Sequence, residues 1–427
     1  MNRCTRFAGA LVVVALAVGV VGCEAAAEGP TRITVMVAGD PAEIDAYRAV
    51  VDAFDSSQGD VDAQLQPFAE RDELIARLGT SIAGGEPPDL FLMNYRFYGQ
   101  FAARDALEPV GPFLDASSAL SEGDFFDTAM TPFTWDGEQM CLPQNVSSLV
   151  VYYNADLFRA AGVSPPASGW SWDEMVDAAE RLTRDDDGDG TVDVYGLGVD
   201  PEIIRIAPLI WSNGGTLVDD EASPTGFALD GAAVAALDRF LALRTRGVTP
   251  TDEEAEAEDF ETRFLNGRLA MLLESRRVVP TLRTITEFSW DVAGFPGMDE
   301  PASVLHSDAY CMTAASQEKD AAWTFLEFAL GPEGQRIAAE SGRTVPSLRS
   351  VAETDAFLDP DVDPAHSEVF VEQIPSLRSV PVISTWPEIE DTVNGLLEEA
   401  YYGGGSALEV AIELTRSTRD QFARAEG

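Results

Sequence analysis

The sequence predicts an α/β fold built on more than one core, and three observations predict it. Strand-like and helix-like segments alternate from Thr31 onward. Asp89-Leu90-Phe91-Leu92-Met93 is a short apolar run of the kind a sheet buries on both faces. Removal of an N-terminal export signal leaves residues 23–427, which is 427 − 22 = 405 residues, more than a single core usually holds.

The export signal comes first. Arg3 and Arg6 precede an apolar run over residues 8–21, and Val20-Val21-Gly22-Cys23 follows as a lipobox. The run is shorter than the about 20 apolar residues a membrane-spanning helix needs, and no later segment approaches that length. Small residues open the cut to a peptidase, and a cysteine directly after it offers a thiol to a lipid. Cys23 is therefore the expected mature N-terminus, and its place behind Val-Val-Gly favours lipidation over a chance cysteine after an ordinary secretory signal. Residues 1–22 are the signal peptide and residues 23–30 the tether, so the chain is expected at the outer face of the cytoplasmic membrane.

Thr31-Arg32-Ile33-Thr34-Val35-Met36-Val37 alternates as a strand, and Asp40-Pro41-Ala42-Glu43 supplies an N-cap, Pro at N1 and a capping-box Glu at N3. The helix that follows carries Val50, Val51 and Phe54 and ends at Ser56-Ser57-Gln58-Gly59, before a second strand over residues 61–67. A helix over residues 72–82 and the turn Gly84-Gly85-Glu86-Pro87-Pro88 lead into the strand at 89–93. Asn94-Tyr95-Arg96 stands just past that strand's carboxyl end, where ligands gather in open α/β sheets. A strand is expected over residues 148–153 and a capped helix from Ser171 to Thr183; further helices are expected over 232–246, 317–330, 332–341, 387–402 and 407–423.

The charge balance is 28 − 73 = −45, with Lys319 the only lysine. Such a chain has no basic surface to hold nucleic acid by counterion release, and the acidity favours a hydrated monomer. Cys141 and Cys311 remain beside Cys23 after export, either as buried free thiols or as a disulfide, which an oxidising compartment permits.

The ordered set of segments resembles the extracellular solute-binding proteins of ABC sugar importers, the group that includes maltose-binding protein. The likeness spans nearly the whole mature chain. It rests on Gly39-Asp40, Gly85-Glu86-Pro87-Pro88-Asp89, Leu142-Pro143 leading into Val150-Val151-Tyr152-Tyr153-Asn154-Ala155-Asp156, Trp211-Ser212-Asn213-Gly214-Gly215, Phe264-Leu265-Asn266-Gly267-Arg268, and Lys319-Asp320-Ala321-Ala322-Trp323. The resemblance implies a two-lobed periplasmic-binding-protein fold (type II), with a hinge of crossing segments and a cleft between the lobes. Carried over, one lobe takes residues 31–142 and 310–378, and the other 143–309 and 379–427. It also puts Cys141 and Cys311 on neighbouring hinge-proximal segments, which favours the bridge. The implied partners are a mono- or oligosaccharide and the membrane subunits of a permease, with no cofactor.

A sugar needs aromatic faces for its C–H patches and planar polar side chains for its hydroxyls. Trp386 matches the place where the maltose-binding group keeps a stacking aromatic, and Trp211, before Asn213-Gly214-Gly215, is a second candidate. Trp386 is the stronger of the two, and the alternative for each is a tryptophan that packs in the core or at an interface. Asp40 matches a position whose carboxylate accepts hydroxyl protons; it fills that role beside its capping role only if one oxygen stays free. Asn94 and Arg96 fall where relatives place side chains over the cleft, although Arg96 also suits a salt bridge. Asn145 and Ser147 follow the first crossing, Ser147 standing where maltose-binding protein has a glutamate. Asp308, in His306-Ser307-Asp308, is placed at the second crossing to accept hydroxyl protons, and His306 reads as structural. Arg276 and Arg277 stand where the family commonly has Gly and Trp, so either the pocket takes a more polar or anionic solute or the two arginines pair with acidic neighbours.

Asp185, Asp187, Asp189 and Asp193 have the early oxygen spacing of a calcium loop without its closing glutamate, position 12 being Gly196. An acidic surface turn explains them equally well. Three functions stand side by side at this point: a non-catalytic sugar receptor, the same fold with a charged solute, and an extracellular glycosidase, for which nothing in the sequence fixes the required pair of carboxylates.

Overall fold

The structure, a computed structural model, describes residues 29–425. The expected signal peptide, Cys23 and the expected tether as far as residue 28 lie outside the described residues. The chain opens as β1 (Thr31–Ala38), α1 (Pro41–Ser57), β2 (Val61–Phe68), α2 (Arg71–Gly84), β3 (Leu90–Asn94) and α3 (Tyr95–Ala102). β1 pairs in parallel with both β2 and β3, so each helix crosses from one strand to the next over the sheet face. Asp40 caps α1 through a bond from Glu43 N. The return half of the expected capping box is missing, because the Glu43 carboxylate is turned to Tyr47 and Arg343 instead.

The chain then runs through β4 (Leu107–Glu108), the hairpin β5 (Thr134–Trp135) and β6 (Glu138–Gln139), and on to β7 (Cys141–Pro143), β8 (Ser147–Ser148) and β9 (Val150–Asn154). Later come β10 (Met271–Glu274), β11 (Trp290–Gly294), β12 (Ser303–His306), β13 (Asp308–Thr313) and β14 (Leu377–Arg378). The first sheet has the order β2-β1-β3-β13-β4, with β7 also paired to β13. Helices Lys319–Ala329 and Pro332–Glu340 return to cover it beside α1. A second sheet, β10-β9-β11, forms the core of the other lobe, and all five residues of β9 are buried.

Between the two sheets, β14-β12-β8 carries the crossings. β7 runs into β8 and β12 into β13 as one antiparallel pair passing from lobe to lobe. The pair is stitched where it crosses: Gln144 N donates to Asp308 O at 2.8 Å, and Ser307 Oγ to Asn145 O at 2.6 Å. β14 joins in parallel on β12 as the third crossing and leads to the helix Trp386–Gly403. One expected boundary shifts. Helix Glu368–Glu372, assigned with the first lobe, packs on β11 of the second, where Phe295 N donates to Gln373 Oε1 at 2.8 Å.

Cys141 and Cys311 are cross-strand partners on β7 and β13 and are joined by a disulfide. The bridge closes a loop of sequence separation 170 and so constrains the unfolded chain strongly. Replacing both cysteines with serine is expected to lower the unfolding free energy by about 2–5 kcal/mol. Urea unfolding with and without reductant checks this; an unchanged midpoint in either would contradict it.

Candidate functional site

A cavity of about 430 Å³ lies at the crossings and is lined from both lobes. Its size falls within the range of small-molecule sites. The first lobe contributes Gly39, Glu43 and Tyr47 at the start of α1, Glu70, Arg71 and Asp72 at the start of α2, and Met93 and Asn94 at the end of β3. The crossings contribute Asn145, Ser147, His306 and Asp308, and the second lobe Ser275 and Arg277. Strand ends and helix starts converge here because parallel strands feed helices over the same edge of the sheet. Close backbone approach matters at Gly39, where an added Cβ would lie 2.2 Å from Glu43 Oε2.

The walls are polar and largely charge-balanced. Arg343 Nη1 donates to Asp40 Oδ2 and Nη2 to Glu43 Oε2, each at 2.5 Å, while Nη1 also reaches the Arg277 carbonyl at 2.9 Å. Burial pushes the Glu43 carboxyl above its ordinary range, and Arg343 opposes that rise. Arg277 pairs with Glu274 and Glu261, each at 3.2 Å. Behind Ser275, Glu274 is buried against Arg205. Burial alone would raise the Glu274 carboxyl, but Arg205, Arg277 and the Ser275 N–H together hold it at about 2.

At the hinge, Asn145 Nδ2 donates to Asp308 Oδ2 at 3.1 Å, and Asp308 pairs across the sheet with Asn94. Ser147 Oγ and His306 Nε2 are buried without a hydrogen-bond partner among the described residues. Burial, with Arg96 and Arg205 nearby, holds the His306 imidazole down at about 3. An unfolded histidine titrates near about 6.5, so the unfolded chain takes up a proton that the folded chain refuses. The resulting stability is complete above about pH 6.5 and is lost as pH falls toward about 3, at about 1.4 kcal/mol per pH unit. His306→Gln is expected to remove about 2–3 kcal/mol of acid sensitivity between about pH 6.5 and 4.5. Urea titrations at stepped pH check the slope; parallel curves for wild type and variant would contradict it.

The structure brings Asn94, Asn145, Ser147 and Asp308 to this cavity and leaves the other candidate contacts elsewhere. Trp386 is 0% exposed, and its Nε1 donates to Glu390 Oε2 at 2.9 Å. Arg96 ion-pairs with the same carboxylate, so both candidates turn inward onto one buried acid. Both Asp40 oxygens are engaged within the protein, Oδ1 capping α1 and Oδ2 taking Arg343, and Asp40 does not line the cavity. Trp211 lies under the Arg378 guanidinium, 4.9 Å from the ring centroid, and borders a separate cavity of about 720 Å³. Asn213 spends its amide on Ala232 O at 2.8 Å. Arg276 is 1% exposed and makes no ion pair among the described residues; it donates to Gly342 O and Ser367 Oγ and stands over the Phe357 and Phe370 rings. Burial lowers its guanidinium to about 10.

Glu43, Tyr47, Arg71, His306 and Arg343 line the cavity and were not among the expected contacts. His306 had a signal: it stands two residues before Asp308 at a crossing, on the same strand alternation. Arg343 had none, since only the fold brings it to α1. Oxygens of Asp185, Asp187 and Asp193 lie within 4.8 Å of one another on the surface, with Asp189 outside the group. Asp185 already accepts from Gly188 N and Gly190 N, as an acidic turn does.

Residues 49–363 match the family model described as bacterial extracellular solute-binding protein. A mannitol-binding protein of Pseudomonas aeruginosa is 26% identical over 404 residues, covering 87% of this chain and 89% of its own. A binding protein of Brucella abortus is 26% identical over 344 residues, 78% of this chain and 79% of its own. An ABC substrate-binding protein from Listeria monocytogenes, solved in complex with cycloalternan, superposes with a TM-score of 0.83 at 23% identity over 92% of this chain and 99% of its own. That superposition shows the two-lobed fold. Proteins of the matched family bind solutes rather than transform them, which removes the glycosidase from the three functions left by the sequence. The chain belongs to the bacterial extracellular solute-binding proteins.

Proposed function

We propose that this chain is the solute-capturing component of an ABC sugar importer, that it takes a neutral sugar or sugar alcohol into the cleft at the hinge, and that it is held at the membrane by lipid on Cys23. The observation that carries the ligand class is the lining of the cleft, where amides, hydroxyls and carboxylates converge from both lobes. Such groups answer hydroxyls one for one. Arg277 and Arg343 are already neutralised by carboxylates, which argues against an anionic solute as the main ligand. Mannitol in the name of one relative and cycloalternan in a fold neighbour support the same class. The lipid anchor rests on Val20-Val21-Gly22-Cys23, and among the described residues no helix is long and apolar enough to cross a membrane.

A thermal-shift screen of the chain from residue 24 onward tests the ligand class with mono- and disaccharides, sugar alcohols and charged solutes. One neutral group is expected to stabilise the protein, by about 2.7 kcal/mol at about 100 times its Kd. A shift confined to anionic solutes would overturn the assignment. For the anchor, Cys23→Ser is expected to move the protein from the membrane fraction to the soluble one, and retention in the membrane would count against lipidation.

A further inference from the structure

Two residues that line the cleft, Ser147 and His306, each carry a buried polar atom without a hydrogen-bond partner among the described residues. Ser147 on β8 and His306 on β12 are antiparallel partners, so their side chains leave the same face of the sheet with Cβ atoms about 4.5–5.5 Å apart. That face is the cavity. Their neighbours, Ser148 and Leu305, point the opposite way into the protein; Leu305 is buried, and the Ser148 hydroxyl accepts from Gln373 Nε2 at 3.2 Å. Ser147 is 8% exposed, and neither its Oγ nor His306 Nε2 meets a protein donor or acceptor. A buried polar group without a partner costs about 1–3 kcal/mol, so a solute that pairs with both atoms recovers that cost as affinity.

We infer that Ser147 Oγ and His306 Nε2 form the recognition ledge of this cleft, each bonding one of two neighbouring hydroxyls of a small uncharged polyhydroxylated ligand held edge-on by hydrogen bonds. The inference rests on the sugar-receptor assignment and makes it narrower. A serine hydroxyl both donates and accepts, and an uncharged imidazole nitrogen does one or the other, so the pair matches two hydroxyls without favouring a charge. Asn145 and Asp308 continue the ledge along the same crossing. Among the described residues no tryptophan or phenylalanine lines the cavity. Tyr47, its one phenol ring, is 2% exposed with its hydroxyl donated to Glu43 at 2.6 Å, so it offers no ring face for a sugar to stack on. Specificity then comes from hydroxyl positions rather than from ring stacking, which suits a sugar alcohol or a single sugar ring better than a long oligosaccharide.

Calorimetry with mannitol, sorbitol, glucose, tagatose and maltose as probes tests this on the wild type, Ser147→Ala, His306→Leu and Ser148→Ala. Wild type is expected to bind a sugar alcohol or monosaccharide. Ser147→Ala and His306→Leu are each expected to weaken that binding about tenfold or more, the worth of one hydrogen bond, while Ser148→Ala leaves it unchanged. The urea midpoint of ligand-free Ser147→Ala should not fall below that of wild type, since no protein bond is lost and an unpaired buried hydroxyl is removed. Among monodeoxy analogues of the probe that binds, one should bind wild type about tenfold more weakly and suffer no further loss in Ser147→Ala. Undiminished binding by Ser147→Ala and His306→Leu, or a preference for maltose, would overturn the ledge and leave the sugar receptor standing. Failure of every sugar to bind would overturn both.

Discussion

Replacing Glu390 with alanine is expected to lower the unfolding free energy by about 3–5 kcal/mol while leaving solute affinity unchanged. Glu390 is the one carboxylate shared by Arg96 and the Trp386 indole, and all three side chains are buried. Its removal strands a guanidinium and an indole N–H where water does not reach, which costs more than the pair contributed. Urea unfolding gives the first quantity and calorimetry the second. The combination separates two roles for Trp386 and Arg96. If they hold the fold, stability falls and affinity does not; if they touch solute, affinity falls even in variants that unfold like wild type.

Arg343→Ala is the second large effect, and it is expected in both measurements. Arg343 lines the cleft, holds Asp40 and Glu43 of the first lobe, and donates to the Arg277 carbonyl of the second. Arg276 Nε returns the tie by donating to Gly342 O at 2.8 Å. Losing the guanidinium removes charge-assisted bonds worth about 1.5–3 kcal/mol of stability and loosens the cleft wall at Glu43. Affinity should fall with it. Arg343→Lys should recover only part of either loss, because an ammonium does not reproduce a fork that meets two carboxylates and a carbonyl together. Full recovery by lysine would show that charge alone matters there.

The parallel opening of the fold was legible in the sequence because each element carried its own local signal. β1 alternates, α1 has Asp-Pro at its start, and β3 is an apolar run behind a glycine-proline turn. Other elements had no such signal. β10 to β13 are runs of four to six residues whose pairing is long-range, and helix Ile203–Ser212 is buried on every side and contains Pro208. Periodicity has nothing to register in a helix without a polar face. The helix expected over residues 407–423 is divided, ending at Ser417 and resuming at Arg419.

The site divides along the same line. Asn94, Asn145, Ser147 and Asp308 stand at a strand end or a crossing, where topology alone directs side chains to the cleft. Trp386, Trp211, Arg96 and Arg276 suit a sugar by residue type and position, and residue type does not reveal whether an internal partner is waiting. Glu390 stands one helical turn after Trp386 but is remote in sequence from Arg96, and Arg378, Gly342 and Ser367 are each remote from the residue they hold.

Capture of an uncharged sugar in the hinge cleft is decided by calorimetric titration of mannitol, glucose and maltose at low and at high ionic strength. One-to-one binding of a neutral sugar with the same affinity at both is the predicted result, because no net charge is exchanged with the salt. Binding confined to an anionic solute and weakening steeply with salt would contradict it.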